Sequence, residues 1–344
     1  MIKLNNKFAI GCIIQWYEIE LVEEYLQSVK NAVDTIENKD KVIIDLYFNC
    51  DQTLEKLDEN QITMTKILDK FEKILTDIFN YDYNTDNFLG YNVKVIFNDV
   101  VSNIYTIADY RREFNEKYCD EVDVLMWGET DSLIPRQPFE ILDNLHSSVK
   151  EQTPKYVAFF ATCKMWDKSW EIVEHPEFTV KPFIDMDRVD TENWWSLRYN
   201  MKQEEMDKIN DTVDDLDIQQ TTQLKFNGCG LVISSEVVKA GINIPKVMFF
   251  VHEDTAFLNN LFIHFKGEIP QYIIKNILLV HNRKLPNKRM YIKGQDYNDG
   301  DMTRMRKQQY WFPNADKMSQ QNAFNLGKQA YTYTWKDVFR DYEE

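Results

Sequence analysis

Val122-Asp123-Val124-Leu125-Met126-Trp127-Gly128-Glu129-Thr130-Asp131-Ser132-Leu133-Ile134-Pro135 is the stretch whose reading decides the fold. From Val122 to Trp127 every position but Asp123 is apolar. A short apolar run without alternation reads as a strand covered on both faces, the pattern of a parallel α/β sheet. The run stops at Gly128 and delivers Glu129-Thr130-Asp131 where the strand ends. Residues i and i+2 of an extended chain project to one side, so the spacing predicts two carboxylates aimed at a common point. In open α/β sheets ligands sit beyond the carboxyl ends of the strands. Two hard oxygen ligands there suit Mg²⁺ or Mn²⁺ carrying a diphosphate. The plainer alternative makes Glu129 and Asp131 turn and cap residues ahead of Pro135.

Working outward toward the N-terminus, Phe8–Ile14 and Val42–Phe48 are further apolar runs, and Asn92–Phe97 alternates like a strand. Between them lie amphipathic stretches: one reaching about Val33 with Leu21, Val22, Tyr25, Leu26 and Val29 on one face, then Ile62–Tyr81 and Ser102–Tyr118. Strands alternating with helices predict βαβ units and a mixed, mostly parallel Rossmann-like sheet flanked by helices. The first strand ends at Gln15-Trp16-Tyr17-Glu18 and the second at Asn49-Cys50-Asp51. Tyr17 and Asp51 are therefore expected on the same sheet edge as Glu129 and Asp131. There an aromatic face can stack on a base, and a carboxylate can accept from a base N–H or a ribose hydroxyl. Taken singly, Tyr17 reads equally as a rim aromatic and Asp51 as a helix cap.

Toward the C-terminus, Phe139–Lys150 reads as a helix and Tyr156–Thr162 as a buried strand. Residues 165–223 change character, with Trp166, Trp170, Trp194 and Trp195 and a charged Glu204–Asp217 part, and read as an insertion over the ligand edge. Leu224–Glu236 returns to strand-like character, broken by Gly228 and Gly230, whose missing side chains permit close backbone approach to a ligand. Asp254 is placed to open a helix over Thr255–Phe265, and Ile273–Val280 is a last strand delivering His281. From Lys284 to Lys307 the chain is basic and broken, with Gly294 and Gly300 as hinges, the composition of a lid. The tail from Ser319 to Glu344 carries a helix and aromatic residues expected to dock on the body.

Composition narrows the function classes. The 344 residues are 44% hydrophobic and 14% aromatic, which is globular and large enough for one big α/β domain with an extension. The net charge of −16 argues against a nucleic-acid partner, since phosphate contacts dominate that affinity. An anionic substrate then needs a metal or a local Arg/Lys cluster. The five cysteines, at positions 12, 50, 119, 163 and 229, form no CxxC or Cys/His ligand pattern and read as reduced thiols of a cytoplasmic protein. No apolar run is long enough to span a membrane, and the first residues do not read as a signal peptide.

The order of these pieces resembles the nucleotide-sugar half of GT-A fold glycosyltransferases, of a family-two-like kind. The second half is similar too, in Asn227-Gly228-Cys229-Gly230-Leu231-Val232-Ile233-Ser234-Ser235-Glu236-Val237 followed by Gly241 and by His252-Glu253-Asp254-Thr255-Ala256-Phe257. That pattern looks like the family's glycine-rich acceptor strand and its Glu-Asp motif. The resemblance covers residues 8–283 and divides the chain into a domain over 1–283 and a basic loop with an extension over 284–344. Within the domain, residues 1–135 would be the nucleotide-sugar half and 136–283 the acceptor half.

The resemblance implies a metal-dependent, inverting glycosyltransferase of hexosyltransferase type, taking a UDP-sugar to a glycan or other hydroxyl acceptor. It implies Mn²⁺ or Mg²⁺ on Asp131 and His281 with Glu129. Donor contacts would come from Tyr17, Asp51, Arg111, Arg112, Glu129 and Gly228. Asp254 would be the base, with Glu253 next in line. Two features depart from the family pattern: the triplet is Glu-Thr-Asp where Asp-x-Asp is commoner, and the 165–223 insertion has no counterpart. Each role has a plainer alternative, Asp254 as a helix N-cap and His281 as a satisfied histidine at a strand end. His146, His175, His252 and His264 read as structural. A nucleotidyltransferase would want a Gly-rich, basic loop after the first strand, which Gln15-Trp16-Tyr17-Glu18 is not. A catalytically silent sugar- or protein-binding module with the same fold remains the alternative from another class.

Overall fold

The computed structural model describes residues 1–57, 63–82, 87–98, 104–162, 202–221, 228–281 and 311–340. The basic stretch Lys284–Lys307, the four tryptophans 166, 170, 194 and 195, and most of the expected insertion lie outside the described residues.

The strands are β1 (Phe8–Gln15), β2 (Val42–Asn49), a hairpin of β3 (Tyr81–Asp82) and β4 (Asn87–Phe88), β5 (Asn92–Asn98), β6 (Val124–Trp127), β7 (Ser132–Leu133), β8 (Val157–Thr162), β9 (Ile218–Thr221), β10 (Val232–Ser234) and β11 (Gln271–His281). The helices are α1 (Ile19–Val33), α2 (Met64–Phe79), α3 (Ile107–Tyr118), α4 (Pro138–Val149), α5 (Gln203–Asn210), α6 (Ser235–Lys239), α7 (Glu253–Phe265), α8 (Phe312–Phe324) and α9 (Trp335–Phe339). The main sheet has nine strands in the order β5-β2-β1-β6-β10-β8-β11-β7, with β9 paired to β11. β5, β2, β1 and β6 are mutually parallel, and β8 and β11 continue in the same direction beyond the antiparallel β10. This is the mixed, mostly parallel α/β architecture of the GT-A type.

The register explains the layers. Phe8, Ile10, Cys12 and Ile14 of β1 enter the core shared with α1, α2 and α4, while Ala9 and Ile13 enter the one shared with α3, α6 and α7. Alternation along a strand sends neighbours to opposite faces, so a strand covered on both sides has to be apolar throughout. Among the described residues no helix is long and apolar enough to cross a membrane.

Three boundaries differ from the sequence reading. Of the strand expected over Leu224–Glu236, residues 224–227 lie outside the described residues; from Gly228 onward Val232–Ser234 is strand, runs antiparallel, and is followed directly by α6. The helix expected from Thr255 begins at Glu253, with His252 before it at φ 67°. The charged Glu204–Asp217 part is not simply solvated, because Met206 of α5 is fully buried against Leu133, Leu278 and Val280. The tail docks as expected: Phe250, Trp311, Phe312, Ala315 and Val338 form one apolar cluster. Ser319 Oγ and Asn322 Nδ2 donate to the carbonyls of Val251 and Val247, at 2.5 and 2.8 Å.

Candidate active site

The carboxyl ends of β1, β2, β6 and β11 share one edge of the sheet, and the chain that follows each of them carries the polar residues. After β6 the backbone turns sharply. Ser132 N donates to Glu129 O at 3.0 Å and the Ser132 hydroxyl to the same oxygen at 2.7 Å. The chain then returns as β7, pairing antiparallel with β11 so that Ser132 stands opposite His281. That short pairing brings His281 between the two acids: its Nε2 is 3.1 Å from Glu129 Oε2 and 3.3 Å from Asp131 Oδ1. The two carboxylates converge as the i, i+2 spacing predicts, although a turn and not an extended strand makes them do so.

Arg111 is the second anchor. On α3 the buried stripe is Ala108, Arg111, Asn115 and Tyr118, at the spacing of one helix face. The Arg111 guanidinium is 2% exposed and lies 4.7 Å over the Trp127 ring. Nη2 donates to Glu129 Oε1 at 2.8 Å and to Gly228 O at 3.3 Å, and Nη1 to Glu253 Oε1 at 2.5 Å. It therefore ties the end of β6 to the start of α7. Arg112, one residue on, faces elsewhere and donates to the carbonyls of Ile244, Pro245 and Met248. Neither arginine is among the residues that line the cavity, and both are bonded to protein partners.

The cavity between these strand ends has a volume of about 300 Å³, at the lower end of ligand pockets. Tyr17, Asp51, Glu129, Asp131, Glu253 and His281 line it; Asp254, Gly228, Arg111 and Arg112 do not. Asn49, Tyr105, Leu54, Phe250 and Phe312 line it as well, so the C-terminal helix α8 contributes to the wall. Glu18, Asp51, Glu55, Glu129, Asp131 and Glu253 are all acids, and His281 is the one basic side chain among the described lining residues. Tyr17 is buried, and its backbone turn is held by Trp16 Nε1 donating to Asp51 O at 3.2 Å. One Asp51 oxygen closes a local turn by accepting from Thr53 N at 2.8 Å.

Charge sets the protonation states. Burial alone would push Glu129 up, but His281 and Arg111 beside it outweigh that and hold it well below the usual carboxylate range. Burial pushes Glu253 up to about 7; Arg111 opposes the rise and Asp254 adds to it. One guanidinium shared by two acids thus leaves Glu129 ionised and Glu253 the easier to protonate. Asp254 sits inside the first turn of α7, its Oδ1 accepting from Thr255 N at 2.7 Å, so it is not the helix N-cap. Its Oδ2 faces Gly228, where a Cβ would come within 2.9 Å. Gly228 is required for that close approach, which is the structural use of a missing side chain here.

The residues present fit a divalent cation. Ligands about 2.1 Å from one ion stand roughly 3.0 to 3.4 Å apart when adjacent. The two separations from His281 Nε2, 3.1 and 3.3 Å, fall in that range. Cys229 also reaches this point: the donor atoms of Glu129, Cys229 and His281 all lie within 4.8 Å of one another. The sequence reading missed it, since it lies far along the chain from both and makes no ligand spacing. The available signal was its position between Gly228 and Gly230 at a strand end.

No protein-family model matches the chain, and no curated protein matches it. Among solved structures the chain is similar to S. aureus TarS, at 11% identity and a TM-score of 0.42. The match covers 79% of this chain and 36% of that one. A likeness so distant carries no argument about chemistry; the strand order alone gives this chain its GT-A-type α/β fold, and its function has to be argued from the site.

Proposed function

We propose that the protein is a metal-dependent glycosyltransferase that moves a sugar from a nucleotide-diphosphate sugar, of the UDP class, to a hydroxyl acceptor. The observation that carries this reading is the convergence of Glu129, Asp131 and His281 in a cavity whose other charged lining residues, among those described, are all acids. A diphosphate brought against so many carboxylates is repelled unless a cation stands between them. Glu129, Asp131 and His281 would hold that ion, Mn²⁺ or Mg²⁺. Bound there, it supplies neutralisation of the charge that develops on the leaving nucleotide, worth several kcal/mol.

The chain's own residues do the rest. Tyr17 and Asp51 would present an aromatic face and a carboxylate to the nucleoside, with Phe250 and Phe312 also in the wall. Arg111 holds Glu129 and Glu253 in fixed relation and so positions both sides of the reaction. Asp254 would be the acceptor base in this reading, because Glu253 is engaged by Arg111, whereas Asp254 directly follows that lining residue without being part of the cavity wall itself. Attack from the face opposite the leaving group inverts the anomeric centre. A catalytically silent module of the same fold is the rival reading, separated by transfer itself.

Calorimetry of UDP binding with Mn²⁺ and with EDTA tests the proposal. Binding is expected with the ion, to be lost with the chelator, and to be lost in Asp131→Ala. Equal affinity in both buffers overturns it.

A further inference from the structure

Cys229 has no task in the mechanism above, yet the fold places it with care. Trp127 N donates to Leu231 O at 2.9 Å, tying this segment to the end of β6. Gly230 turns the chain at φ +66°, and a Cβ there would lie 2.4 Å from Leu279 Cδ1. On the other side, Gly228 is packed against Asp254. The thiol between the two glycines is 3% exposed and shares its corner with Glu129 and His281. Nitrogen and oxygen donors sit about 2.0–2.2 Å from a first-row ion and sulfur about 2.3 Å, so two donors on one ion are at most roughly 4.5 Å apart. The three donor atoms here lie within 4.8 Å of one another, a bound slightly above that limit, so a small side-chain movement brings them onto one ion.

We propose that Cys229 is a sulfur ligand of the cation held by Glu129 and His281, and that the site therefore selects a first-row transition ion over Mg²⁺. The proposal rests on the metal reading of this site. Thiolate is a soft ligand and Mg²⁺ a hard ion that keeps oxygen donors and water, as Mn²⁺ largely does, whereas Co²⁺ and Zn²⁺ accept mixed O, N and S sets. As the Sγ–metal bond forms, the thiol proton passes to solvent, one proton per ion bound. Sequence spacing cannot reveal such a site, since its three ligands come from the turn after β6, the approach to β10 and the last residue of β11.

The test uses the full chain, stripped by chelator and loaded with Co²⁺. X-ray absorption on the wild type should show one sulfur at about 2.3 Å among lighter donors. The near-ultraviolet thiolate-to-cobalt band should be present in the wild type and in Cys119→Ala, and absent in Cys229→Ala and Cys229→Ser. Preference for Co²⁺ over Mg²⁺, read by competition, should be at least about tenfold and should shrink in Cys229→Ala. Cobalt bound stoichiometrically without a sulfur neighbour overturns the Cys229 assignment and leaves the metal reading standing. No binding of any divalent ion, with UDP bound equally well in EDTA, overturns both. The absorption measurement needs no variant, so a misfolded Cys229 substitution does not shield the proposal.

Discussion

Helix α3 carries two buried charge clusters, and the contrast between them separates architecture from chemistry. On one flank Asp45 of β2 accepts from Tyr110 at 2.9 Å, from Tyr118 at 2.5 Å and from Lys117 at 2.9 Å. One carboxylate meets three donors, and nothing is left over for a ligand. On the adjoining face Arg111 is shared by Glu129 and Glu253, with Asp131 and Asp254 close by. Here acids outnumber cations, and the surplus faces a cavity. A buried charge is tolerable when it is paired and hydrogen-bonded, so an unbalanced cluster is the one that expects a further cation.

The largest expected effect tests the unbalanced cluster as catalytic machinery. Asp254→Asn keeps the shape of the side chain and its bond to Thr255 N, so folding and UDP binding should persist. Transfer should fall by about 10²–10⁴-fold, the contribution of a positioned base. Steady-state rates of sugar transfer measure it. Undiminished transfer, with loss in Glu253→Gln instead, would exchange the roles of the two acids.

Next comes stability. Arg111→Met strands two carboxylates, one of them fully inside, and should cost about 3–5 kcal/mol in urea unfolding. Asp45→Asn keeps an acceptor for one of the three donors and should cost less, roughly 1.5–3 kcal/mol. The sharper contrast is in binding: the Asp45 variant should hold UDP and Mn²⁺ like the wild type, whereas the Arg111 variant should not. Equal losses of binding in both would erase the distinction between the clusters.

The smallest effect is a pH slope. Glu253 takes its proton at about 7 in the folded chain, against 4.5 for a free side chain. Between these values the folded state binds more protons than the unfolded one, so this group makes stability fall as pH rises through that window. One proton is worth at most about 1.4 kcal/mol per pH unit. Glu253→Gln should flatten the decline, as read from urea midpoints across the window. Glu129 acts in the opposite sense: its depressed value gives stability at neutral pH that is lost on acidification below the ordinary carboxylate range. An unchanged slope in Glu253→Gln would mean that Arg111 keeps that acid ionised throughout.

Much of this was legible in the sequence, for identifiable reasons. Doubly covered strands are apolar at nearly every position, so β1, β6, β8 and, but for Asp45, β2 were readable from local pattern alone. Glu129, Asp131, Tyr17 and Asp51 were found because ligands gather beyond strand ends, and strand ends can be read from where the apolar run stops. Arg111, expected as a donor contact, is bonded to Glu129 and Glu253 in the structure. Its position in the stripe Ala108, Arg111, Asn115, Tyr118 marks it as buried, while Arg112 lies off that face, and helical periodicity alone carried this difference. Among the described residues β10 is shorter than its composition suggests, because Gly230 turns the chain at φ 66° just before it.

The sequence by itself therefore determined the strand and helix alternation, the edge at which ligands collect and the acids that stand on it, since these follow from periodicity and from where hydrophobic runs end. Only the tertiary structure decided what meets what. β7 folds back on β11 to bring His281 to Glu129 and Asp131. The crossing of β10 between β6 and β8 carries Cys229 to the same corner. Arg111 reaches Glu253 across 142 positions of chain. Contacts of that range are set by sheet order and packing, which no local pattern encodes.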